Sequence, residues 1–143
     1  LEPAHLKDHL IALNGFPIKK NYIEPIDIHN VKQELAIPDG KKVILVMMGA
    51  RSAHTMIAFA KQLLKVKHAC HIIFACGKNK EVADKLKQLK FQPHISTTIL
   101  GYVDDITKIY RISDLYIGKA GTVSFCENLY CNTPMILDAT SSI

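Results

Sequence analysis

Apolar runs of strand length alternate along this chain with stretches whose apolar positions recur at helical spacing. LIALNGFPI at residues 10–18 predicts a strand entering a turn, VKQELAI a short helix, and PDG a break before the buried strand KKVILVMMG. SAHTMIAFAKQLLKV then predicts a helix, HIIFACG a second buried strand, and NKEVADKLKQLKF an amphipathic helix with its lysines outward. STTILGYV reads as a strand and DDITKIYRIS as a short helix with Asp104 and Asp105 in its first turn. DLYIG, TVSFCENLYC and TPMIL follow as strand, helix and strand. Repeated strand and helix predict an α/β, Rossmann-like doubly wound parallel sheet, with helices on both faces and right-handed crossovers.

Composition narrows the picture. A chain of 143 residues, 48% of them hydrophobic, is long enough for one core, and no repeat or linker divides it, so residues 1–143 are expected to form a single domain. No apolar run reaches the roughly 18 residues of a membrane span, and no charged stretch followed by an apolar signal core opens the chain; the expected location is cytoplasmic. Cys70, Cys76, Cys126 and Cys131 fit neither metal-ligand spacing nor a disulfide framework and read as buried free thiols. The net charge of +5 would suit nucleic acid, anionic lipid or a phosphorylated ligand, but the lysines are scattered and lack interleaved aromatics, so no nucleic-acid partner is expected.

Ligands of such sheets bind beyond the carboxyl ends of the strands. That directs attention to the loops MGARSAH, CGKNK, GYVDD and GKAGTVS, which predicts that Gly49, Gly77, Tyr102 and Gly121 lie at one edge. The first and last of these loops pass through a glycine into a helix start, where unpaired N–H groups and the helix dipole favour an anion such as a diphosphate. Neither has the spacing of an ATP-binding or a nicotinamide-binding glycine loop. Glu127, six residues past Gly121, falls between one and two turns into the last helix. From there a carboxylate can accept two hydrogen bonds from a ribose diol. A surface glutamate paired with a lysine satisfies the same spacing, and for Tyr102 the plain alternative is a core tyrosine.

The ordered set GFPIK at 15–19, a strand ending in MG, CGKNK at 76–80, LGYVDD at 100–105 and GKAGTVSFCENL with TPMIL at 118–137 resembles one known family. It is similar to the C-terminal, donor-binding domain of the family 28 glycosyltransferases of GT-B architecture, which contains MurG and the monogalactosyldiacylglycerol synthases. The resemblance covers almost the whole chain. It implies a UDP-sugar site, with Gly121, Thr122, Val123 and Ser124 about the phosphates and Glu127 on the ribose hydroxyls. Tyr102 and Val103 match positions that flank the uracil, and Lys19 falls where the family places an arginine near the donor, keeping the charge without the fork. The first donor loop, glycine-rich in the family, here reads Gly49, Ala50, Arg51, Ser52, and its bulk would hinder close approach of a phosphate unless Arg51 or His54 compensates by charge.

The family's N-terminal domain, with the acceptor site and the candidate general base, has no counterpart in these residues. The resemblance therefore implies a truncated domain whose partner is the missing N-terminal domain or a separate chain. The reaction implied is attack of an acceptor hydroxyl, lipid or lipid-linked, on the anomeric carbon of a hexose with UDP leaving. This domain would hold the donor, need no cofactor or metal, and contribute no catalytic base. The basic balance would suit a peripheral membrane surface. A regulatory subunit of a split enzyme and a UDP-sugar epimerase-like domain are the alternatives of other classes.

Overall fold

A computed structural model describes residues 15–49 and 53–138. Five parallel strands, β1 (Lys42–Met47), β2 (Cys70–Ala75), β3 (Ile95–Leu100), β4 (Leu115–Lys119) and β5 (Met135–Asp138), form one sheet in the order β3-β2-β1-β4-β5. Chain order reverses direction beside β1, so the crevice between the carboxyl ends of β1 and β4 is the topological switch point of the sheet. Every residue of β2 is buried, as expected of a strand covered on both faces, and this is why HIIFA reads as an unbroken apolar run.

Helices α2 (Ala53–Leu63) and α3 (Lys80–Lys87) cover one face, where Met56, Ala60, Leu63, Val82 and Leu86 pack on Val46, Ile72, Phe74 and Ile117. The other face carries α1 (Ile28–Glu34) and α4 (Thr107–Ile112), with Val31, Ile109, Tyr110 and Ile112 against Val43, Leu45, Ile73 and Tyr116. Helix α5 (Thr122–Tyr130) joins β4 to β5 on this second side, and Cys131 just after it packs into the same cluster. The polarity of α5 is reversed. Its single charged residue, Glu127, is buried, whereas Val123, Phe125, Leu129 and Tyr130 are exposed.

Three expectations need correction. Residues 10–14 of the first expected strand lie outside the described residues, and residues 15–18 run as irregular chain into a single 3-10 turn at Lys20–Tyr22, with no strand. Pro17 supplies no ladder donor, and tertiary contacts hold the segment instead: Arg111 donates to the carbonyls of Asn21 and Glu24, and Asn21 Nδ2 donates to Asp105 at 2.8 Å. Helix α1 begins three residues earlier than VKQELAI suggested, because Asp27 caps it by accepting from the Asn30 N–H at 3.1 Å. Asp104 and Asp105 precede α4 and do not form its first turn. Asp105 accepts from the Thr107 N–H at 3.0 Å and the Thr107 hydroxyl at 2.6 Å, bonds that hold its carboxyl below the usual range, aided by Asn21 and Lys19 against some burial.

The cysteines divide. Cys70 and Cys76 are buried, the latter pushed up to about 11 by burial, while Cys126 and Cys131 are only half-buried; all four are free. Among the described residues no helix is long and apolar enough to cross a membrane.

Candidate functional site

Because all five strands are parallel, the turns after β1, β2, β3 and β4 open on one edge of the sheet. Gly49 and Gly121 meet there. They line one cavity of about 230 Å³ together with Met47, Met48, Tyr116, Lys119 and Ser124, at the switch point between β1 and β4. Gly49 has φ +73, a left-handed backbone that lets the chain turn out of β1 without strain only because no Cβ is present. Ala50, Arg51 and Ser52 of the same loop lie outside the described residues, and His54 is exposed in the first turn of α2.

Gly118 is required for a different reason. A Cβ there would stand 2.2 Å from the Tyr116 hydroxyl and 2.4 Å from the Met47 carbonyl, so glycine is what allows the Tyr116 ring to lie along β4. The Tyr116 hydroxyl donates to the Met47 carbonyl at 3.3 Å and so joins the end of β4 to the end of β1 beneath the cavity.

Helix α5 opens on this cavity with its N–H groups available. Gly121 is the N-cap and offers no side-chain acceptor, and the helical ladder starts with the Phe125 N–H donating to the Gly121 carbonyl at 2.9 Å. The N–H groups of Thr122, Val123 and Ser124 are thus outside the ladder, the arrangement that attracts an anion. Thr122 and Val123 are exposed, and Ser124 lies half-buried beside the hydroxyls of Tyr110 and Tyr116. Lys119, on the last residue of β4, adds a cation to the cavity wall.

Glu127 is three residues beyond Ser124 on the same face of α5, and only 6% of it is exposed. This excludes the surface ion pair that its spacing also allowed: among the described residues Glu127 makes no salt bridge. Burial pushes its carboxyl above the usual range, while the Tyr22 hydroxyl and the Lys19 charge pull the other way. Lys19 is itself exposed at the entry to the 3-10 turn, and its charge is among those that bear on the carboxylate.

Beneath α5 the rings form a row. Tyr116 and Tyr110 have centroids 5.7 Å apart, Tyr110 and Tyr22 6.3 Å, and Tyr22 and Tyr130 6.0 Å. The Tyr22 hydroxyl is close enough to Glu127 for each to bear on the other's titration, yet it makes no hydrogen bond of ordinary geometry, and the Tyr110 hydroxyl and Asn128 Oδ1 are likewise buried without a partner. Burial raises both phenols far above the usual range, Glu127 reinforcing the shift, so both remain donors at any physiological pH.

Farther along the edge Tyr102 is 65% exposed, which excludes a core role, and Lys78 Nζ sits 5.1 Å from its ring centroid. Gly77 lies beside this pair: a Cβ on Gly101 would come 3.8 Å from its carbonyl. Val103 turns inward against the second core cluster. Gly49, Gly121 and Ser124 are therefore drawn together with Glu127 and Lys19 behind them, whereas Tyr102 and Val103 occupy the β3 end of the edge. Lys119, Tyr116 and Tyr22 were not anticipated. Lys119 was legible as the basic residue inside GKAG; nothing in the sequence brings Tyr22 to Glu127.

Known proteins resemble this chain in sequence and in fold. The chain is 28% identical over 130 residues to a processive diacylglycerol beta-glucosyltransferase of Bacillus subtilis and 24% over 127 residues to that of Bacillus licheniformis, in each case over 89% of this chain and 33% of the relative. It thus spans about a third of the length of these relatives. Among solved structures it is similar to Acinetobacter baumannii MurG, with TM-score 0.64 and 18% identity over 92% of this chain and 39% of that one. A glycosyltransferase from Rickettsia africae follows with TM-score 0.61 and 20% identity over 77% of this chain and 32% of that one. Residues 43–138, from β1 to the end of β5, match the glycosyltransferase family 28 C-terminal domain, and the chain belongs to that family.

Proposed function

We propose that this chain is the donor-holding part of a glycosyltransferase: it binds a UDP-sugar, and in the intact enzyme a hexose passes to the hydroxyl of a lipid or lipid-linked acceptor. One observation carries the reading. The free N–H groups at the start of α5, Lys119, and the glycines after β1 and β4 lie about one cavity at the switch point, with a buried carboxylate that makes no salt bridge among the described residues one turn deeper. A diphosphate would be held by the helix start and Lys119, and a ribose diol by Glu127, with Lys19 nearby. Tyr102, with Val103 beside it, offers an exposed ring for the base.

The diphosphate is also the leaving group, so donors fixed against it favour the transition state as charge develops there, without proton transfer from this domain. A base for the acceptor hydroxyl would come from the N-terminal part that the relatives have and these residues do not match. The diacylglycerol glucosyltransferases among the relatives support a lipid acceptor. The charge of +5 would favour approach to an anionic bilayer surface. By itself the chain is expected to bind the donor weakly and to transfer nothing.

Calorimetric titration of UDP and of 2′,3′-dideoxy-UDP tests the reading. Glu127→Ala removes charge-assisted hydrogen bonds worth roughly 1.5 to 3 kcal/mol each, so UDP affinity should fall about ten-fold or more, with little change for the dideoxy ligand. Equal weakening of both ligands, or no preference by the unsubstituted chain, would remove Glu127 from the ribose.

A further inference from the structure

We propose that Tyr22 is the positioning residue for Glu127: its hydroxyl, delivered from the 3-10 turn, holds the carboxylate ionised and oriented toward the start of α5. This rests on the nucleotide reading above and assigns the role to a residue outside every motif that supports that reading.

The argument begins with what each group lacks. Tyr22 is 3% exposed and its hydroxyl is unpartnered, while Glu127 is 6% exposed and has no salt bridge among the described residues. A buried phenol that donates to nothing costs stability, and an ionised buried carboxylate without a donor costs more. Tyr22 packs edge-on against Tyr130, ring centroids 6.0 Å apart, and Tyr130 lies three residues beyond Glu127 on the same side of α5, so the 3-10 turn docks beside the carboxylate and each group bears on the other's titration. The groups that bear on Glu127 come from several elements: Lys19 from the end of the GFPIK segment, Tyr22 from the 3-10 turn, Tyr110 from α4, Tyr116 from β4 and Cys131 from the end of α5. Lys19 is the one cation among them, and it is exposed and screened. That leaves the Tyr22 hydroxyl as the donor placed to keep the carboxylate charged. A carboxylate has about four acceptor positions, so one taken by Tyr22 leaves others for a vicinal diol and fixes the plane in which they lie.

The turn that carries Tyr22 is held from outside the site. Arg111 donates to the carbonyls of Asn21 and Glu24 on either side of it, and Asn21 is tied to Asp105. The position of the hydroxyl is thereby set by α4 independently of ligand, as preorganisation requires.

The test uses the ligand-free chain and its UDP complex. In Tyr22→Phe the Glu127 side-chain carbon, followed by NMR, should titrate at a higher pH than in the unsubstituted chain, because a donor to the charged form has been lost. UDP affinity at neutral pH should fall roughly three- to ten-fold, and that loss should vanish when Tyr22→Phe is combined with Glu127→Ala. An unshifted Glu127 titration overturns the positioning role, and so does a loss that persists in the Glu127→Ala background, since it would then reflect packing. If Glu127→Ala binds UDP as the unsubstituted chain does, the nucleotide reading falls and the positioning role falls with it. If Glu127→Ala loses affinity while the titration in Tyr22→Phe stays put, only the role of Tyr22 falls.

Discussion

Two buried polar groups on the same face of the sheet are built to opposite rules. At the amino ends of the strands, His71 on β2 is 1% exposed and both its ring nitrogens are partnered, Nδ1 with the Ser96 hydroxyl at 2.8 Å and Nε2 with the Thr98 hydroxyl at 3.0 Å. The network has only one assignment. Lys41 donates to Ser96 at 3.2 Å and Thr98 donates to the Leu35 carbonyl at 3.1 Å, so Ser96 gives its proton to Nδ1 and Thr98 accepts from Nε2–H. Along α5 and the rings beneath it, Tyr22, Tyr110 and Asn128 each keep a buried polar atom that makes no hydrogen bond of ordinary geometry. Complete satisfaction marks a group that serves the fold, whereas polar atoms left open along the helix that carries Glu127 leave capacity for a further partner.

The largest expected effect comes from charging the closed network. Burial, with the Lys41 charge second, lowers His71 from an ordinary 6.5 to about 4. Its folded value is depressed, so in acid the unfolded chain takes up a proton that the folded one refuses. Its contribution to stability is complete above pH 6.5 and is lost as pH falls toward 4, by about 3 kcal/mol in all. Urea unfolding at stepped pH should show this slope, and His71→Gln should lack it.

Opening the same network at one point comes next. Thr98→Val leaves the His71 Nε2–H and the Leu35 carbonyl without their partner, for an expected loss of roughly 1 to 2 kcal/mol at pH 7. The smallest effect is expected in the open group. Tyr110→Phe removes a hydroxyl that lies beside Ser124 and Tyr116 but makes no hydrogen bond of ordinary geometry, and stability should stay within about 0.5 kcal/mol or rise slightly. A loss above about 1 kcal/mol in Tyr110→Phe would show that the open group is not open, and the comparison would collapse.

What the sequence disclosed follows the same division. The central strands β1, β2 and β4 were legible because burial leaves apolar runs, the partly exposed edge strands β3 and β5 because they recur in the strand–helix alternation, and Gly121, Ser124 and Glu127 because helical spacing sets them along one side of α5. The stretch 15–18 misled because its apolar residues mimic a strand, whereas it runs into a 3-10 turn whose Asn21 and following Glu24 are tied by Asp105 and Arg111, contacts that the local sequence does not show. Asp27 was a readable cap that moves α1 by almost a turn. The approach of Tyr22 to Glu127 left no local trace, since it exists only once the 3-10 turn docks beside α5.

The row of tyrosines has a mechanical consequence. Close-packed interiors yield little to compression, so rings in series behave as a strut. This strut starts at Tyr116, bonded to the carbonyl of Met47 where β1 ends, passes through Tyr110 and Tyr22, and finishes on Tyr130 in the last turn of α5. A displacement of Met47 at the tip of β1 is therefore expected to reach the 3-10 turn that carries Tyr22 through the buried rings of Tyr116 and Tyr110, rather than to be absorbed between them.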